Sequence, residues 1–259
     1  MQDNAAIIKQ PLAGKTALVT GGARGMGLEI CRQLAARGAT VVIGARDEAK
    51  ARDCADALRG RGYQAVGIKL DVTSAEDREA AYAYLSKTYA SLDILINNAG
   101  IWLDSANAAT PPDRPPSAAS EADVRGTFEA NFFAPVFLSQ RLLPLLRRSS
   151  GARIVNVSSI RGSLTHLSDP ASPVYPIKAL AYDTSKAALN AFTILLAEEL
   201  RGSHIKVNAI HPGWVRTGMG GGQADLSPEE GARTAILYAG LDDDGPTGGF
   251  FYQDERLPW

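Results

Sequence analysis

The stretch Thr20-Gly21-Gly22-Ala23-Arg24-Gly25-Met26-Gly27 comes directly after the apolar run Ala17-Leu18-Val19 and leads into a helical pattern from Leu28 to Arg37. A strand that ends in a glycine-rich turn and re-emerges as a helix aims several backbone N–H groups and the positive helix end at one point, which suits a phosphate. Gly21, Gly25 and Gly27 lack a Cβ, so they allow a sharp turn, let a pyrophosphate approach the backbone and seat the helix closely on its strand. The spacing is Gly-x-x-x-Gly-x-Gly. The general dinucleotide fingerprint, Gly-x-Gly-x-x-Gly/Ala, is not met, because Ile30 stands where its last residue would fall. An ordinary strand-to-helix turn also uses glycines, so the choice rests on the pattern of the chain beyond Arg37.

That pattern is a repeated alternation of strand and helix. Thr40 to Ile43 reads as a buried β-branched strand, succeeded by Gly44-Ala45-Arg46-Asp47 and a helix from about Glu48 to Arg59. Gln64 to Leu70 is the third strand; Ser74 can cap the next helix, with Asp77 in its first turn. Ile94-Leu95-Ile96 is a fourth strand running into Asn97-Asn98-Ala99-Gly100. Strands separated by helices pair in parallel through right-handed crossovers. Ile101 to Ser120, with two Pro-Pro pairs, cannot be regular structure and reads as a surface excursion, with a lid as the alternative. A long apolar helix spans about Glu121 to Arg148, bent near Pro135 and Pro144. Arg153 to Val157 is the fifth strand, Ile160 to Ala181 a loop-like stretch, Tyr182 to Arg201 a helix and Lys206 to Ile210 the sixth strand. Ser227-Pro228-Glu229-Glu230 opens the last helix, and Gly248 to Tyr252 supplies a final strand. The fold class is therefore α/β: one doubly wound parallel sheet of about seven strands with helices on both faces, in a single domain over residues 1–259.

Composition narrows the function. The 259 residues are 45% hydrophobic and 21% charged, with no linker-like stretch, and the net charge of -1 gives no electrostatic case for nucleic acid or a membrane surface. Met1 to Lys15 lacks the apolar core of a signal peptide, and no apolar run approaches the roughly 18 residues that span a bilayer. A cytoplasmic protein is expected. Cys31 and Cys54 read as buried or half-buried thiols, and His166, His204 and His211 have no metal-like spacing, so no metal is assigned.

Ligands of such sheets bind outside the carboxyl ends of the strands. There lie the glycine turn, Arg46, Asp71, Asn98, Ser159 and the turn from Pro212 to Thr217, joined by Tyr182 and Lys186 from the helix before the sixth strand. Four apart, those two side chains share one helical face. A free tyrosine titrates near ~10, and a nearby ammonium favours the phenolate, which would make Tyr182 a usable acid. Alone, Tyr-x-x-x-Lys also describes a solvated pair.

The combination of motifs resembles the short-chain dehydrogenase/reductase superfamily along nearly the whole chain: Thr20-Gly-x-x-x-Gly25-x-Gly27, Asn97-Asn98-Ala99-Gly100, Asn131, Ser159, Tyr182-x-x-x-Lys186, and Pro212-Gly213 with Thr217. Pro-Gly-Trp-Val-Arg-Thr at 212–217 and Asp244-Gly-Pro-Thr-Gly-Gly-Phe-Phe251 look most like its carbonyl reductase branch. The resemblance implies a Rossmann-like fold and an oxidoreductase that reduces a ketone or aldehyde to an alcohol, reversibly, on a small-molecule substrate. It implies that Tyr182 gives a proton to the carbonyl oxygen, Ser159 hydrogen-bonds that oxygen, and Lys186 lowers the tyrosine pKa and holds the nicotinamide ribose. Asn131 would bind a water leading to solvent. Around the cofactor it places Gly21, Ala23, Arg24, Gly25, Met26 and Gly27 at the pyrophosphate, Asp71 and Val72 at the adenine, and Asn98, Ala99 and Gly100 alongside. Pro212, Gly213, Val215 and Thr217 would meet the nicotinamide.

At the end of the second strand the resemblance puts Ala45 where an acid would select NAD, and Arg46 comes next. With Arg24 it could clasp a 2′-phosphate by forked, charge-assisted hydrogen bonds, so NADPH is predicted. Asp47 reads as a helix cap. The interval between Ser159 and Tyr182 carries an insertion, at about 160–181, like the longer one of carbonyl reductases. Such a segment can cover the helix faces that other members use to form tetramers, leaving monomer or homo-oligomer open. Trp102 and Trp214 read either as pocket walls or as packing, and the glycines of 218–222 as a mobile flap. A biosynthetic ketoreductase on a carrier-bound or terpenoid substrate shares these residues. A non-catalytic NADP(H)-sensing module would need no proton donor.

Overall fold

In the computed structural model, which describes residues 12–259, β1 (Thr16–Thr20) is buried along its whole length. The reading of Met1 to Lys15 therefore falls, for residues 1–11, outside the described residues. Alternate side chains of β1 serve opposite faces. Ala17 and Val19 join one core with Ile30 and Leu34 of α1 (Gly25–Ala36) and Ile236 of α8 (Pro228–Ala239). Leu18 joins the other, with Leu85 of α3 (Ala75–Thr88), Leu138 of α5 (Ala134–Leu146) and Leu196 of α7 (Leu180–Glu199).

The remaining strands are β2 (Thr40–Ala45), β3 (Ala65–Lys69), β4 (Ile94–Asn97), β5 (Arg153–Val157), β6 (Lys206–Ile210), β7 (Phe250–Tyr252) and β8 (Glu255–Arg256). Their order in the sheet is β3-β2-β1-β4-β5-β6-β7-β8. All pairings are parallel except the last, between β7 and β8, so the sheet has eight strands rather than about seven. The extra one is a two-residue antiparallel return too short to leave a periodic signal. The order reverses at β1, between β2 and β4. Register brings Thr20 beside Gly44, Asn97 beside Asn156 and Val157 beside Ile210. The residues after each strand therefore emerge along one edge, at the switch point where such sheets take ligands.

Local capping agrees with the sequence. Asp47 accepts from Lys50 N at 3.1 Å ahead of α2 (Glu48–Arg59), Ser74 from Asp77 N at 3.1 Å, and Ser227 forms a full capping box with Glu230. The long helix expected over Glu121 to Arg148 is divided instead. α4 (Glu121–Phe128) passes through a π-turn, Glu129–Phe133, into α5, with Pro135 in the first turn of α5 and Pro144 inside it. The loop-like stretch before Tyr182 contains a 3₁₀ turn, Ile160–Gly162, and the short α6 (Leu164–Ser168). It leaves Phe137 and Leu195, on the outer faces of α5 and α7, exposed. No helix among the described residues is long and apolar enough to cross a membrane.

Candidate active site

The glycine turn is shaped by contacts that only a missing Cβ permits. Gly21 and Gly25 have φ of 63° and 51°, in the left-handed region. A Cβ on Gly27 would fall on the Gly21 carbonyl oxygen and 2.6 Å from Asn98 Nδ2. Asn98 is the brace of this turn: its Nδ2 donates to Thr20 O at 2.8 Å, and its backbone N and that of Ala99 donate to Thr20 Oγ1 at 3.0 and 2.9 Å. Ala23 O accepts from Cys54 Sγ, and Met26 packs on the core beneath. Thr217 lies against the turn, its methyl 3.3 Å from where a Gly25 Cβ would stand.

Arg24 and Arg46 are exposed, and among the described residues neither guanidinium has an ion-pair or hydrogen-bond partner. Asp47 beside them is occupied by its cap and by Lys50. Asp71 accepts from Thr73 N and Oγ1, and Val72 is buried. Beyond β6, Gly213 has φ of 83°, Val215 bridges to Leu226, and Thr217 Oγ1 accepts from Gly220 N at 3.1 Å.

Tyr182, Ser159 and Lys186 converge. Ser159 stands beside Tyr182, its hydroxyl working to lower the phenol's pKa. Lys186 Nζ is 5.6 Å from the centre of the Tyr182 ring and donates to Val157 O at 2.8 Å. Ser158 is turned away, donating to Asn190 Oδ1 at 2.6 Å, which leaves Ser159 as the serine of the site. Gly162, which sequence reasoning passes over, lets the 3₁₀ turn lie on α7: a Cβ there would be 2.7 Å from the Lys186 backbone. Gly100 brings Asn131 and Lys186 together, its absent Cβ lying 3.2 Å from Asn131 Oδ1 and 3.6 Å from Lys186 Nζ. Asn131, in the π-turn, spends its amide on Ile101 N and O at 2.8 and 2.9 Å and on Ser185 Oγ at 3.1 Å. Its side chain is therefore a fastening between elements.

One expectation is reversed. Helical spacing predicts that the ammonium of Lys186 lowers the Tyr182 pKa, but burial dominates and pushes the phenol up to about 12, and the same desolvation brings Lys186 down to about 8. Arg161 works against the burial of Tyr182.

Part of the loop 101–120 is tied to the site, while residues 110–118 stay largely exposed, as a surface excursion does. Asp104 accepts from Ala181 N and Tyr182 N, each at 3.0 Å, so its carboxylate caps α7 from another part of the chain. Trp102 is buried, its ring centre 4.8 Å from that of Tyr182, and Nε1 donates to Ser105 Oγ. Met219 and Ala108 pack there too, and Ala108 N donates to Met219 O at 2.8 Å, joining loop and flap. Trp214 remains 39% exposed, its Nε1 on Gly220 O.

Next to this edge, burial and the neighbouring His166 push His211 from 6.5 down to about 4, and its Nδ1 has no partner. Between those values the unfolded chain binds a proton that the native state does not, so this contribution to stability is present above about 6.5 and lost as the pH falls through about 4. His211→Gln should flatten the acid side of the stability curve by about 1.4 kcal/mol per pH unit in that window, read from urea denaturation. An unchanged slope would count against it.

Comparison with known proteins fits this edge. The chain belongs to the short chain dehydrogenase family, a class of oxidoreductases, whose family model matches residues 15–226. It is 30% identical to salutaridine reductase of Papaver bracteatum, over 94% of this chain and 95% of that one. It is 33% identical to the NADPH carbonyl reductase 1 of Bos taurus, over 94% and 98%. The structure of NADPH-bound carbonyl reductase from chicken fatty liver superposes with a TM-score of 0.84 at 27% identity, covering 98% of this chain and 97% of that one.

Proposed function

We propose that the chain reduces a ketone or aldehyde to an alcohol with NADPH, Tyr182 giving the proton. The observation that carries this reading is that Ser159 and Tyr182 stand together at the sheet edge that also holds the glycine turn, with Lys186 Nζ 5.6 Å from the Tyr182 ring. A phenol held near about 12 is fully protonated at neutral pH, as a proton donor must be. Ser159 donates to the same carbonyl oxygen as negative charge develops on it. Lys186 holds ribose hydroxyls, and Asn131 fixes the π-turn and Ile101 around it. The wall over Tyr182, made by Trp102, Ala179, Ala108 and Met219, supports an apolar substrate. Because loop, insertion and flap all meet at Tyr182, we propose that the chain works as one domain.

The residues present fit a dinucleotide. Gly21, Gly25 and Gly27 keep clear the space that side chains would fill, and Arg24 and Arg46 are free to meet a 2′-phosphate where Ala45 leaves no opposing acid. Bound there, the reduced nicotinamide supplies the hydride. The salutaridine and carbonyl reductase relatives support this assignment. The direct test is NADPH oxidation across aliphatic, aromatic and cyclic carbonyls, and absence of turnover with every one would overturn the reading. Arg46→Asp is expected to move the NADPH-to-NADH ratio of kcat/KM toward NADH by about tenfold or more, the loss of one charge-assisted hydrogen bond to phosphate. An unmoved ratio would remove Arg46 from that role.

A further inference from the structure

Tyr182 sits where a helix is least fixed. It is the third residue of α7, and the first N–H groups of a helix have no partner within it. Ala179, which precedes the helix in extended conformation, has no side chain that could take them. Asp104 does so from 78 positions away: Oδ1 accepts from Ala181 N and Oδ2 from Tyr182 N, each at 3.0 Å. Both carboxylate oxygens are thus committed to the turn that carries the phenol, and an anion suits the positive end of a helix.

The same short segment grips the ring. Trp102, two residues before Asp104, is buried with its ring centre 4.8 Å from that of Tyr182. The segment is braced by its own bonds, Trp102 Nε1 donating to Ser105 Oγ at 3.0 Å and Asp113 N to Asp104 O at 2.8 Å. Tyr182 is therefore held at its backbone by Asp104 and at its ring by Trp102. Lys186, one turn further along α7, is held independently: it donates to Val157 O at 2.8 Å, and the 3₁₀ turn at Gly162 lies on its backbone.

We propose that Asp104 is a positioning residue for carbonyl reduction: by capping α7 at the N–H of Tyr182 itself, its carboxylate fixes where the phenol meets the substrate oxygen.

The proposal rests on the reading of Tyr182 as donor. Displacing a reacting group by about 1 Å can cost about a hundredfold in rate. Without the cap, two N–H groups of the first turn lose their acceptors, and that turn is free to unwind and carry the phenol with it. Lys186 and the glycine turn keep their own supports. The loss should therefore fall on kcat and spare the cofactor.

The test is kcat for NADPH-dependent reduction of 4-nitrobenzaldehyde by the full chain at saturating concentrations, with NADPH affinity read by fluorescence titration. Asp104→Ala is expected to lower kcat by about tenfold to a hundredfold, and Asp104→Asn, which keeps one acceptor, by about threefold to tenfold, both with NADPH affinity within about twofold of the parent. Thermal melting shows which variants are folded, and if Asp104→Ala is not, Asp104→Asn decides. A cap that served only the fold would cost turnover equally with or without the phenol hydroxyl. The double-mutant cycle tells the two roles apart: in the Tyr182→Phe background, removing the Asp104 carboxylate should lower the residual turnover by less than about twofold. An unchanged kcat in a folded Asp104 variant, or a loss of the same size in both backgrounds, overturns the proposal. If Tyr182→Phe turns over like wild type, the donor reading itself fails and Asp104 has no donor to position. If Tyr182→Phe loses its turnover while the Asp104 variants keep theirs, the donor reading stands and Asp104 alone is wrongly placed.

Discussion

Tyr182→Phe is expected to lower kcat for carbonyl reduction by about a thousandfold while leaving NADPH affinity within about twofold, because it removes one oxygen and nothing else. The ring stays, so its packing on Trp102 at 4.8 Å and the wall around the substrate are kept. The Asp104 cap is also kept, since it is made by the backbone N–H groups of Ala181 and Tyr182 and not by the phenol. The hydroxyl lost is the one beside Ser159, so the serine would remain as the donor at the carbonyl oxygen. Stopped-flow reduction with NADPH, alongside NADPH titration by fluorescence, separates the chemistry from binding. A kcat within about tenfold of wild type would take the proton transfer away from Tyr182.

The parts of the site that the sequence announces are those written in short range. The glycine turn comes within a few residues of its strand, Tyr182 and Lys186 share one helix, and the caps at Asp47, Ser74 and Ser227 lie three residues from the N–H groups they satisfy. The parallel pairing of the strands needs only the crossover rule and the alternation of elements. The parts that local patterns miss are held by contacts distant in sequence. Asp104 reaches Ala181 and Tyr182 across 77 and 78 positions, and no local pattern encodes that. A trace of it is present nonetheless. α7 begins after Ala179, which has no side chain to cap a helix, so its first N–H groups require an acceptor from elsewhere. The π-turn at Glu129–Phe133 leaves no such trace, because its widening is tied to the pairing of Asn131 with Ile101 and Ser185. The Tyr182 pKa escapes the sequence for a related reason. Helical spacing places the ammonium correctly, but burial of both groups depends on the loop and insertion that close over them.

Gly27→Ala is expected to weaken NADPH binding by about tenfold to a hundredfold and to destabilise the fold by about 1–3 kcal/mol, the usual range for forcing a methyl into a filled space. The methyl would meet the Gly21 carbonyl oxygen and the Asn98 amide, both rigid: the first is backbone, and the second is tied to Thr20 O at 2.8 Å. Neither can yield without moving the turn that faces the phosphates, so affinity and stability should fall together. Gly218 and Gly222 provide the contrast, since a Cβ at either meets nothing within 4 Å and neither has a positive φ. Alanine there should leave stability within about 0.5 kcal/mol, the range of ordinary surface changes. Chemical denaturation gives the first quantity and fluorescence titration with NADPH the second. If Gly27→Ala binds NADPH as the parent does, the turn is not where the pyrophosphate lies, and the tight seating of α1 on β1 serves the fold alone.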